Sequence, residues 1–371
     1  MKKFLPEVCT IQYGFPFDSA KFSDSEGIPL IRIRDVVRGY SETFTTEEYK
    51  DEFLVHENDL LVGMDGEFNI AKWGKTPALL NQRVCRLMPK TNIDNGYLFY
   101  FMPTALKKIE EKTPFVTVKH LSAKELNKVE IPILPFDEQK KIATVLDKVS
   151  DLISLCKQQL TKLDELVKAR FVEMFGESEY PCNSLISLII EGAGLSYGIV
   201  QPGDDGTGDM GVLRPVDLAD GKIKTDSIKY IDRSLGDGFK KTELNGNELL
   251  ITVRGTTGIT ALTDSRFKGM NVTRGIAVIR YDKKKVDPIY LNEYIKMEKS
   301  QQYIKEHTRG ATLQQINLSE LRDLEVVIPP LPLQRVFAAF VERVDQQKQT
   351  VQQSLEKLEL MKKALMQEYF G

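Results

Sequence analysis

Two long stretches of the chain carry apolar residues at alternating four- and three-residue steps, with mostly polar residues between them. In the first stretch the apolar residues are Ile142, Leu146, Val149, Ile153, Cys156, Leu160, Leu163 and Val167. In the second they are Phe337, Val341, Val344, Val351, Leu355, Leu358 and Leu365, with Lys348 and Lys362 interrupting the series. This spacing places the apolar side chains on one face of an α-helix. The sequence therefore predicts two long helices, each with one apolar face.

The two stretches are copies of each other. From Gln139 and Gln334 onward they align without a gap, and both end at a Phe-Gly pair. A proline-rich lead-in precedes each copy. Because proline disfavours helix both at its own position and at the residue before it, the helices are predicted to begin where Pro135 and Pro332 end the lead-ins. A repeat of this kind determines the architecture of the whole chain.

An apolar stripe of this length needs a partner. A helix of about 35 residues spans roughly 50 Å, and the nearest partner for each helix is the other copy. We therefore predict a two-helix coiled coil, which would hold whatever lies between the helices at a fixed separation. The residues assigned to the helix pairing are Ile142, Val149, Leu160, Leu163, Val344, Val351, Leu355 and Leu358.

A segment of domain size precedes each long helix, and the two segments match loosely. Both contain short β-branched runs bounded by Gly, Pro, Asn and Asp, which predict a small and mostly antiparallel sheet. Helices are predicted over residues 97–112 and 289–307. The expected fold is α+β with a pseudo-twofold internal repeat. Its predicted parts are residues 1–136 (first domain), 137–176 (first long helix), 177–333 (second domain) and 334–371 (second long helix).

The two segments share apolar runs and turn residues, and they differ mainly in polar loops. After one apolar run of the first segment comes a loop with glycines, an amide, two lysines and Trp73; after the equivalent run of the second comes Arg254-Gly255-Thr256-Thr257-Gly258. Arginine bonds guanine bidentately, Asn and Gln bond adenine, and Thr serves either base. Glycine-flanked loops let backbone N–H groups approach phosphates. Each loop taken alone is also compatible with a solvated turn, but recurrence at matching points favours two related reading surfaces.

Composition sets outer limits on this interpretation. With 371 residues and 42% hydrophobic content the chain can form two cores of ordinary size. It contains no apolar run of membrane-spanning length, and its charged, proline-containing start is unlike a signal peptide. The four cysteines are scattered without a CxxC pair, which favours a reducing cytoplasm.

The charge balance argues against a uniformly basic nucleic-acid binder. There are 51 Lys and Arg against 53 Asp and Glu, for a net charge of −2. A chain with this balance binds nucleic acid only if its positive charge is gathered on one face or if a partner adds phosphate contacts.

Several motifs that suggest enzymatic chemistry do not hold. The glycines Gly206, Gly208 and Gly211 spell GxGxxG, but an Asp/Gly-rich loop precedes them and a predicted strand follows, the reverse of a dinucleotide site. The histidines His56, His120 and His307 lack metal-ligand spacing, and His120 is predicted to be a polar contact or a surface residue. There is no phosphate loop or nucleophile elbow. The sequence therefore predicts no catalytic residue, no metal site and no cofactor.

The chain resembles the specificity subunits of type I restriction–modification systems over essentially its full length. The resemblance rests on the repeat of a variable segment plus a helix, on the Met64–Ile70 stretch with Trp73, and on the lead-ins IPILPFDEQKKIA from Ile131 and IPPLPLQRVFA from Ile328. It also rests on the helix endings Phe175-Gly176 and Phe370-Gly371. The second lead-in lacks a counterpart of the acidic pair Asp137-Glu138, which we expect to alter local partner contacts only.

The resemblance implies a non-catalytic, sequence-specific DNA-binding subunit. Each of two target recognition domains would read one half of an asymmetric, bipartite site in double-stranded DNA, and the antiparallel helices would set the gap. Half-sites on one face of B-DNA lie roughly 34 Å apart, within the reach of these helices. The implied partners are two DNA adenine methyltransferase subunits and a restriction subunit in a bacterial or archaeal cytoplasm, with S-adenosylmethionine and ATP bound by those partners.

On this basis we assign DNA contact to a set of polar side chains. In the first domain they are Arg32, Arg34, Asn69, Lys72, Lys75 and Arg83; in the second they are Arg214, Arg254, Thr256, Thr257, Arg274, Arg309 and Thr312. Arg32 and Arg34 alternate with two isoleucines, so they are predicted to share one sheet face, with a structural ion pair to Asp35 as the alternative.

Two other classes of function remain open from the sequence. A coiled-coil adaptor without DNA specificity would bind protein partners independently of salt, unlike a DNA-binding protein. A nuclease with an unrecognised site would show metal-dependent cleavage by the pure chain.

Overall fold

The structure, a computed structural model, describes residues 1–113, 119–176, 179–200, 208–219, 221–310 and 313–371. The fold is α+β and divides into two compact units, one of residues 1–158 and 352–371 and one of residues 159–351. Each unit therefore contains one sheet-forming domain together with parts of both long helices. The predicted domain boundaries stay a prediction, because the compact units divide each long helix internally.

The first unit contains two larger sheets. One is antiparallel, with strands in the spatial order Cys9–Tyr13, Val84–Pro89, Leu60–Gly63 and Asn69–Lys72. The other has the order Phe22–Ser23, Phe44–Thr45, Ile28–Ile31, Ala78–Leu80 and Leu54–Val55, with one parallel pair. Lys2–Phe4 pairs with Glu130–Pro132. The short helices are Leu5–Val8, Ser19–Lys21, Asp35–Arg38, Asp51–Phe53, Asn95–Lys112 and Ala123–Asn127.

The second unit repeats this plan with shorter strands. One sheet has the order Thr260–Leu262, Leu249–Thr252 and Ile276–Ile279, and another has Lys229–Ile231, Met210–Leu213 and Asn271–Val272. Three strand pairs complete it: Cys182–Ser184 with Glu325–Val327, Leu218–Ala219 with Lys222–Ile223, and Thr308–Arg309 with Gln315–Ile316. The short helices are Leu185–Leu188, Pro215–Asp217, Arg233–Thr242, Ser265–Phe267, Pro288–Lys296, Glu298–His307 and Leu318–Arg322.

The predicted short helices are present, with one difference. The helix predicted over 97–112 spans Asn95–Lys112, and the Asp94 side chain caps it by accepting from the Tyr97 N–H. The single helix predicted over 289–307 is wrong, because Met297 adopts an extended conformation (φ −68°, ψ 153°) that ends one helix and starts the next.

The long helices are Phe136–Phe175 and Leu331–Phe370. The first begins directly after Pro135, as predicted. The second begins one residue before Pro332, so the predicted start after that proline is wrong. Proline fits there because the N–H groups of a helix's first turn have no acceptor inside the helix.

The two long helices run antiparallel and pair within each unit. In the first unit Lys157 Nζ lies 3.1 Å from Glu359 Oε1, joining the early part of one helix to the late part of the other. In the second unit Lys348 Nζ lies 2.5 Å from Asp164 Oδ1. The lysine that interrupts the apolar stripe thus forms an ion pair across the helix pair.

The predicted pairing residues serve two purposes. Ile142, Val149, Leu163, Val344, Val351 and Leu355 are buried, whereas Leu160 and Leu358 are only half-buried. Ile142 belongs to the apolar core of the first domain, and Leu163 and Val344 belong to that of the second. The apolar face of each long helix therefore packs against the domains as well as against the partner helix.

Equivalent residues fasten each long helix to a domain. The first core contains Ile142 and Phe370 packed on Tyr97, with ring centroids of Tyr97 and Phe370 5.3 Å apart. The second contains Phe337 and Phe175 packed on Tyr290, with centroids of Phe175 and Tyr290 5.1 Å apart. Each domain is thus capped by the beginning of one long helix and the end of the other.

Candidate nucleic-acid interface

Three segments of the first domain meet where its central strand Leu60–Gly63 ends. The N–H of Met64 donates to the carbonyl of Arg83 at 3.1 Å, and the N–H of Leu121 donates to the carbonyl of Met64 at 2.7 Å. The loop after the strand, the turn at Arg83 and the segment around His120 therefore form one surface, which we call the first loop surface (residues 64–68, 81–83 and 119–121).

The second domain builds the same junction. The N–H of Val253 donates to the carbonyl of Gly275 at 2.8 Å, and the N–H of Ile316 donates to the carbonyl of Val253 at 3.0 Å. The N–H of Gly255 also donates to the carbonyl of Gln314 at 2.9 Å. These segments form the second loop surface (residues 253–258, 273–275 and 314–316). The loops that recur in the sequence thus occupy equivalent positions in the two domains.

A glycine in each domain permits a fourth segment to join the junction. A Cβ on Gly14 would lie 2.0 Å from the carbonyl oxygen of Asn81, and one on Gly198 would lie 1.9 Å from that of Val272. Neither distance is possible for a real side chain, so the matched Tyr-Gly pairs of the sequence mark a close approach of two backbones.

A carboxylate organises the first loop surface. Asp65 Oδ1 lies 2.6 Å from His120 Nδ1, and Asp65 Oδ2 lies 3.4 Å from Arg83 Nε. Arg83 is 55% exposed, so its guanidinium stays accessible while Asp65 orients it. His120 is therefore a polar contact, one of the two alternatives predicted for it. The role of Asp65 was missed, because nothing in the sequence links it to partners so distant along the chain.

Five of the predicted contact residues lie on the loop surfaces, and of these Arg83, Thr256 and Arg274 are exposed. Lys75 is also exposed, but it follows Lys72, whose partner Leu60 lies at the end of the strand pair away from the loop. Arg254 and Thr257 are half-buried, and Thr257 Oγ1 lies 3.0 Å from Thr308 Oγ1.

Two further candidates of the second domain, Arg309 and Thr312, lie close together in the sequence. Arg309 is 76% exposed, with Nη2 3.5 Å from Glu320 Oε1. Thr312 lies outside the described residues, so its assignment stays a prediction.

The prediction that Arg32 and Arg34 share a sheet face is wrong. The strand ends at Ile31, because the N–H of Arg32 donates to the buried Asp35 carboxylate at 2.9 Å and the chain turns into a short helix. Arg34 Nε lies 3.7 Å from Asp35 Oδ1, which is the ion pair considered as the alternative. Both arginine side chains remain exposed at this turn.

Arg214 occupies the equivalent turn of the second domain. Its N–H donates to the fully buried Asp217 at 2.8 Å, and its Nε and Nη2 both donate to the same carboxylate at 3.1 Å. The Arg214 side chain is 31% exposed. These bonds stabilise the turn, so the structure favours a structural role for Arg214 over base contact.

Asn69 and Lys72 also have partners inside the first unit. The Asn69 Nδ2 donates to the carbonyl of Glu67 at 3.2 Å, and its Oδ1 is enclosed by protein. Lys72 Nζ lies 3.2 Å from Asp147 Oδ1 on the first long helix and 5.0 Å from the Phe99 ring centroid. The structure therefore favours structural roles for these two candidates.

The two buried cysteines, Cys9 and Cys85, are poor nucleophiles. Burial raises the pKa of the Cys9 and Cys85 thiols to about 12, so both are protonated and poorly nucleophilic at neutral pH. Among the described residues no group of His, Cys, Asp or Glu is placed to hold a metal ion. In the same part of the chain, no helix has the length and apolar character needed to cross a membrane.

The chain thus contains two similarly folded domains, each with polar loops that differ from the other's at the end of a central strand. The chain belongs to the type I restriction–modification DNA specificity family. The model of that family, described as "Type I restriction modification DNA specificity domain", matches residues 1–165 and 206–360.

Individual proteins support this membership. The specificity subunit of the type I restriction enzyme EcoBI from Escherichia coli is 28% identical over 370 residues, covering 92% of this chain and 78% of that protein. The putative type I restriction enzyme MjaX specificity subunit of Methanocaldococcus jannaschii is 24% identical, covering 92% and 86%. The solved S subunit of a type I restriction–modification system from M. genitalium covers 100% of this chain with a TM-score of 0.64 at 14% identity, a likeness of fold.

Proposed function

We propose that the chain is the non-catalytic subunit that gives a type I restriction–modification complex its DNA sequence specificity. Each domain reads one half of an asymmetric, bipartite site in double-stranded DNA. The observation that carries the proposal is the pair of loop surfaces, which are built by the same backbone hydrogen bonds but present different side chains. Two half-sites of different sequence require two loop surfaces with the same backbone arrangement but different side chains.

The exposed side chains of the loop surfaces suit this task. Arg83 lies beside Asp65 and is exposed, and an accessible guanidinium can donate two hydrogen bonds to guanine. On the second loop surface Arg254 lies beside Thr256 and Thr257, a mixture of charged and hydroxyl donors. Arg274 on the second loop surface and Lys75 beyond the end of the strand Asn69–Lys72 are exposed, and both suit phosphate contacts.

The long helices supply surfaces for the partner subunits. In the first unit Leu152 and Leu155 are exposed, and in the second an open groove of about 600 Å³ is lined by residues of both helices, including Leu166, Val336 and Phe340. Exposed apolar residues on paired helices fit the apolar faces of further helices. Two DNA adenine methyltransferase subunits and a restriction subunit are the proposed partners, and they bind S-adenosylmethionine and ATP.

Modified-base sequencing of DNA from cells that co-express the chain with its methyltransferase subunit tests the proposal. The expected result is methyladenine at one bipartite motif, absent when the chain is omitted. Methylation that is unchanged without the chain, or no methylation despite a formed complex, would contradict the specificity role. Salt-independent binding of the complex to DNA would also contradict it, because phosphate contacts release counterions.

A further inference from the structure

Asp147 on the first long helix joins the sheet of the first domain to that helix. Its Oδ1 lies 3.2 Å from Nζ of Lys72, the last residue of the strand Asn69–Lys72, and accepts a 2.8 Å hydrogen bond from Tyr100 Oη. Tyr100 Oη also lies 3.1 Å from Ser150 Oγ one helical turn further on. One carboxylate thus bonds both a sheet strand and the domain helix Asn95–Lys112.

The second long helix joins the same group of side chains. Lys362 Nζ lies 5.7 Å from the centroid of the Tyr100 ring. Burial lowers the pKa of Lys362, as does the nearby Lys157, whereas Asp147 raises it. Two lysines, Lys72 and Lys362, therefore gather around Asp147.

The second unit lacks this arrangement. By the alignment of the repeats and the strand registers, Lys72 corresponds to Leu262, Lys362 to Val167 and Tyr100 to Glu293. Asp147 corresponds to Glu342, which is exposed. Aromatic rings attach the long helices to both domains, but at this position the second domain has ring contacts such as that of Phe171 with Tyr290, whose centroids are 5.8 Å apart. Ring packing tolerates small displacements, whereas hydrogen-bonded charges fix a direction.

We propose that Asp147 is a positioning residue for the hairpin formed by the strands Leu60–Gly63 and Asn69–Lys72. It holds this hairpin in one position against the long helices; the proposal rests on the proposed function. Lys72 ends the strand whose beginning, Asn69, follows the first loop surface, so the hairpin moves as one body with that surface. Without the Asp147 charge, Lys72 and Lys362 lose their shared counter-charge and the hairpin is free to shift. The distance between the two half-sites is then less strictly defined, while the bases read in each half-site stay the same.

The variants Asp147→Asn and Tyr100→Phe test this proposal in the methylation assay. For each, methylation at the wild-type motif should fall relative to motifs whose spacer is one base pair longer or shorter, by roughly ten-fold for Asp147→Asn. The matched control is Glu342→Gln, the repeat-equivalent change, which should leave the spacing preference unaltered.

Hydrogen exchange of the purified chain decides the proposal independently of DNA. The backbone amides of the hairpin, in particular those of the strand Asn69–Lys72, should exchange faster in Asp147→Asn and Tyr100→Phe but not in Glu342→Gln. Unchanged hairpin exchange in both variants would overturn the proposal, as would an unchanged spacing preference or a loss of methylation uniform over all spacings. Tyr100→Phe removes only one hydroxyl, so it keeps the test valid if Asp147→Asn does not fold. Absence of any wild-type motif would refute the proposed function, and hairpin exchange would still decide the positioning role.

Discussion

At the scale of single residues, the equivalent arginines Arg32 and Arg214 make the same backbone contact but differ in their side-chain contacts. Both precede an aspartate by three residues and both donate a backbone N–H to it. Arg214 also turns its guanidinium onto Asp217. In the first domain Asp35 is equally buried, but the neighbouring Arg34 supplies the positive charge, with its Nε 3.7 Å from Asp35 Oδ1. A serine hydroxyl donates to the carboxylate in both domains, from Ser41 at 3.1 Å and from Ser227 at 2.9 Å.

Replacing Arg214 by Ala should lower the free energy of unfolding by about 2 kcal/mol, because a buried carboxylate loses two charged hydrogen-bond donors. Urea unfolding of the purified chain measures this. Arg274→Ala, which removes an exposed arginine, is the control and should change stability by less than about 0.5 kcal/mol. Equal stability of the two variants would contradict the structural role of Arg214.

Replacing Arg254 by Ala should weaken discrimination at one base pair of the second half-site by roughly 1–3 kcal/mol, as expected for a bidentate base contact. Competition binding of the assembled complex to sites that differ at single positions measures this. A phosphate contact would instead weaken binding to all sequences alike. Normal discrimination in the variant would refute a base-reading role for Arg254.

The sequence predicts the chemistry of the loop residues but not their partners. Arg83 was predicted as a contact residue, yet its ion pair with Asp65 depends on a junction of three segments that only the folded chain brings together. Lys72 was assigned to DNA because it lies in a polar loop region, and its ion pair with Asp147 depends on how the helix covers the sheet. Side-chain partners across elements are set by packing, which periodicity does not encode.

At the scale of secondary-structure elements, two buried glutamines fix where the long helices leave the domains. Gln139 Oε1 accepts from the Asp94 N–H at 2.9 Å, and its Nε2 donates to the carbonyl of Leu134 at 2.9 Å. Gln334 does the same with Asp287 at 2.8 Å and Pro329 at 2.7 Å. Each glutamine thus ties a lead-in and a long helix to the residue that caps the domain helix.

Gln139→Leu and Gln334→Leu should each lower the free energy of unfolding by about 1–3 kcal/mol, because each leaves buried backbone groups without partners. Differential scanning calorimetry or urea unfolding measures the loss. Gln353→Leu on the exposed side of the second long helix serves as the control. If the buried and exposed substitutions have equal effects, the glutamines do not carry the attachment.

Long periodic elements were the predictable part of the architecture. The stripe of four- and three-residue steps fixed both long helices to within a few residues, since each turn adds to the same signal. The break at Met297 was not predictable, because no proline or glycine marks it and tertiary packing determines it. The parallel pairing of Ile28–Ile31 with Ala78–Leu80, and of Met210–Leu213 with Asn271–Val272, was likewise not predictable, since strand direction depends on connections rather than on local pattern.

At the scale of the whole molecule, the repeat explains why both domains close around aromatic helix ends. Phe370 lies against Tyr97 and Phe101 in the first unit, and Phe175 lies against Tyr290 and Phe337 in the second. Both phenylalanines were identified from the sequence only as the ends of the repeat. In each unit the end of one long helix therefore completes a core that the beginning of the other long helix also joins.

Phe370→Ala should destabilise the first unit by about 3–5 kcal/mol and leave the second unit unchanged, because it opens a cavity only in the first core. Phe175→Ala should do the reverse. Hydrogen exchange resolved by peptide separates the two units and measures both effects. Destabilisation of both units by either single change would show that they unfold as one body.

The division of the chain into units has a consequence for the order of folding during synthesis. The second unit is contiguous, residues 159–351, whereas the first needs residues 352–371 to complete its core. A ribosome therefore delivers every residue of the second unit before the first unit can close, although the first domain emerges earlier. Until Phe370 emerges, the aromatic face of Tyr97 and Phe101 stays uncovered and is open to chaperones or to a partner helix. Translation speed over the last helix would then set how long that face remains available.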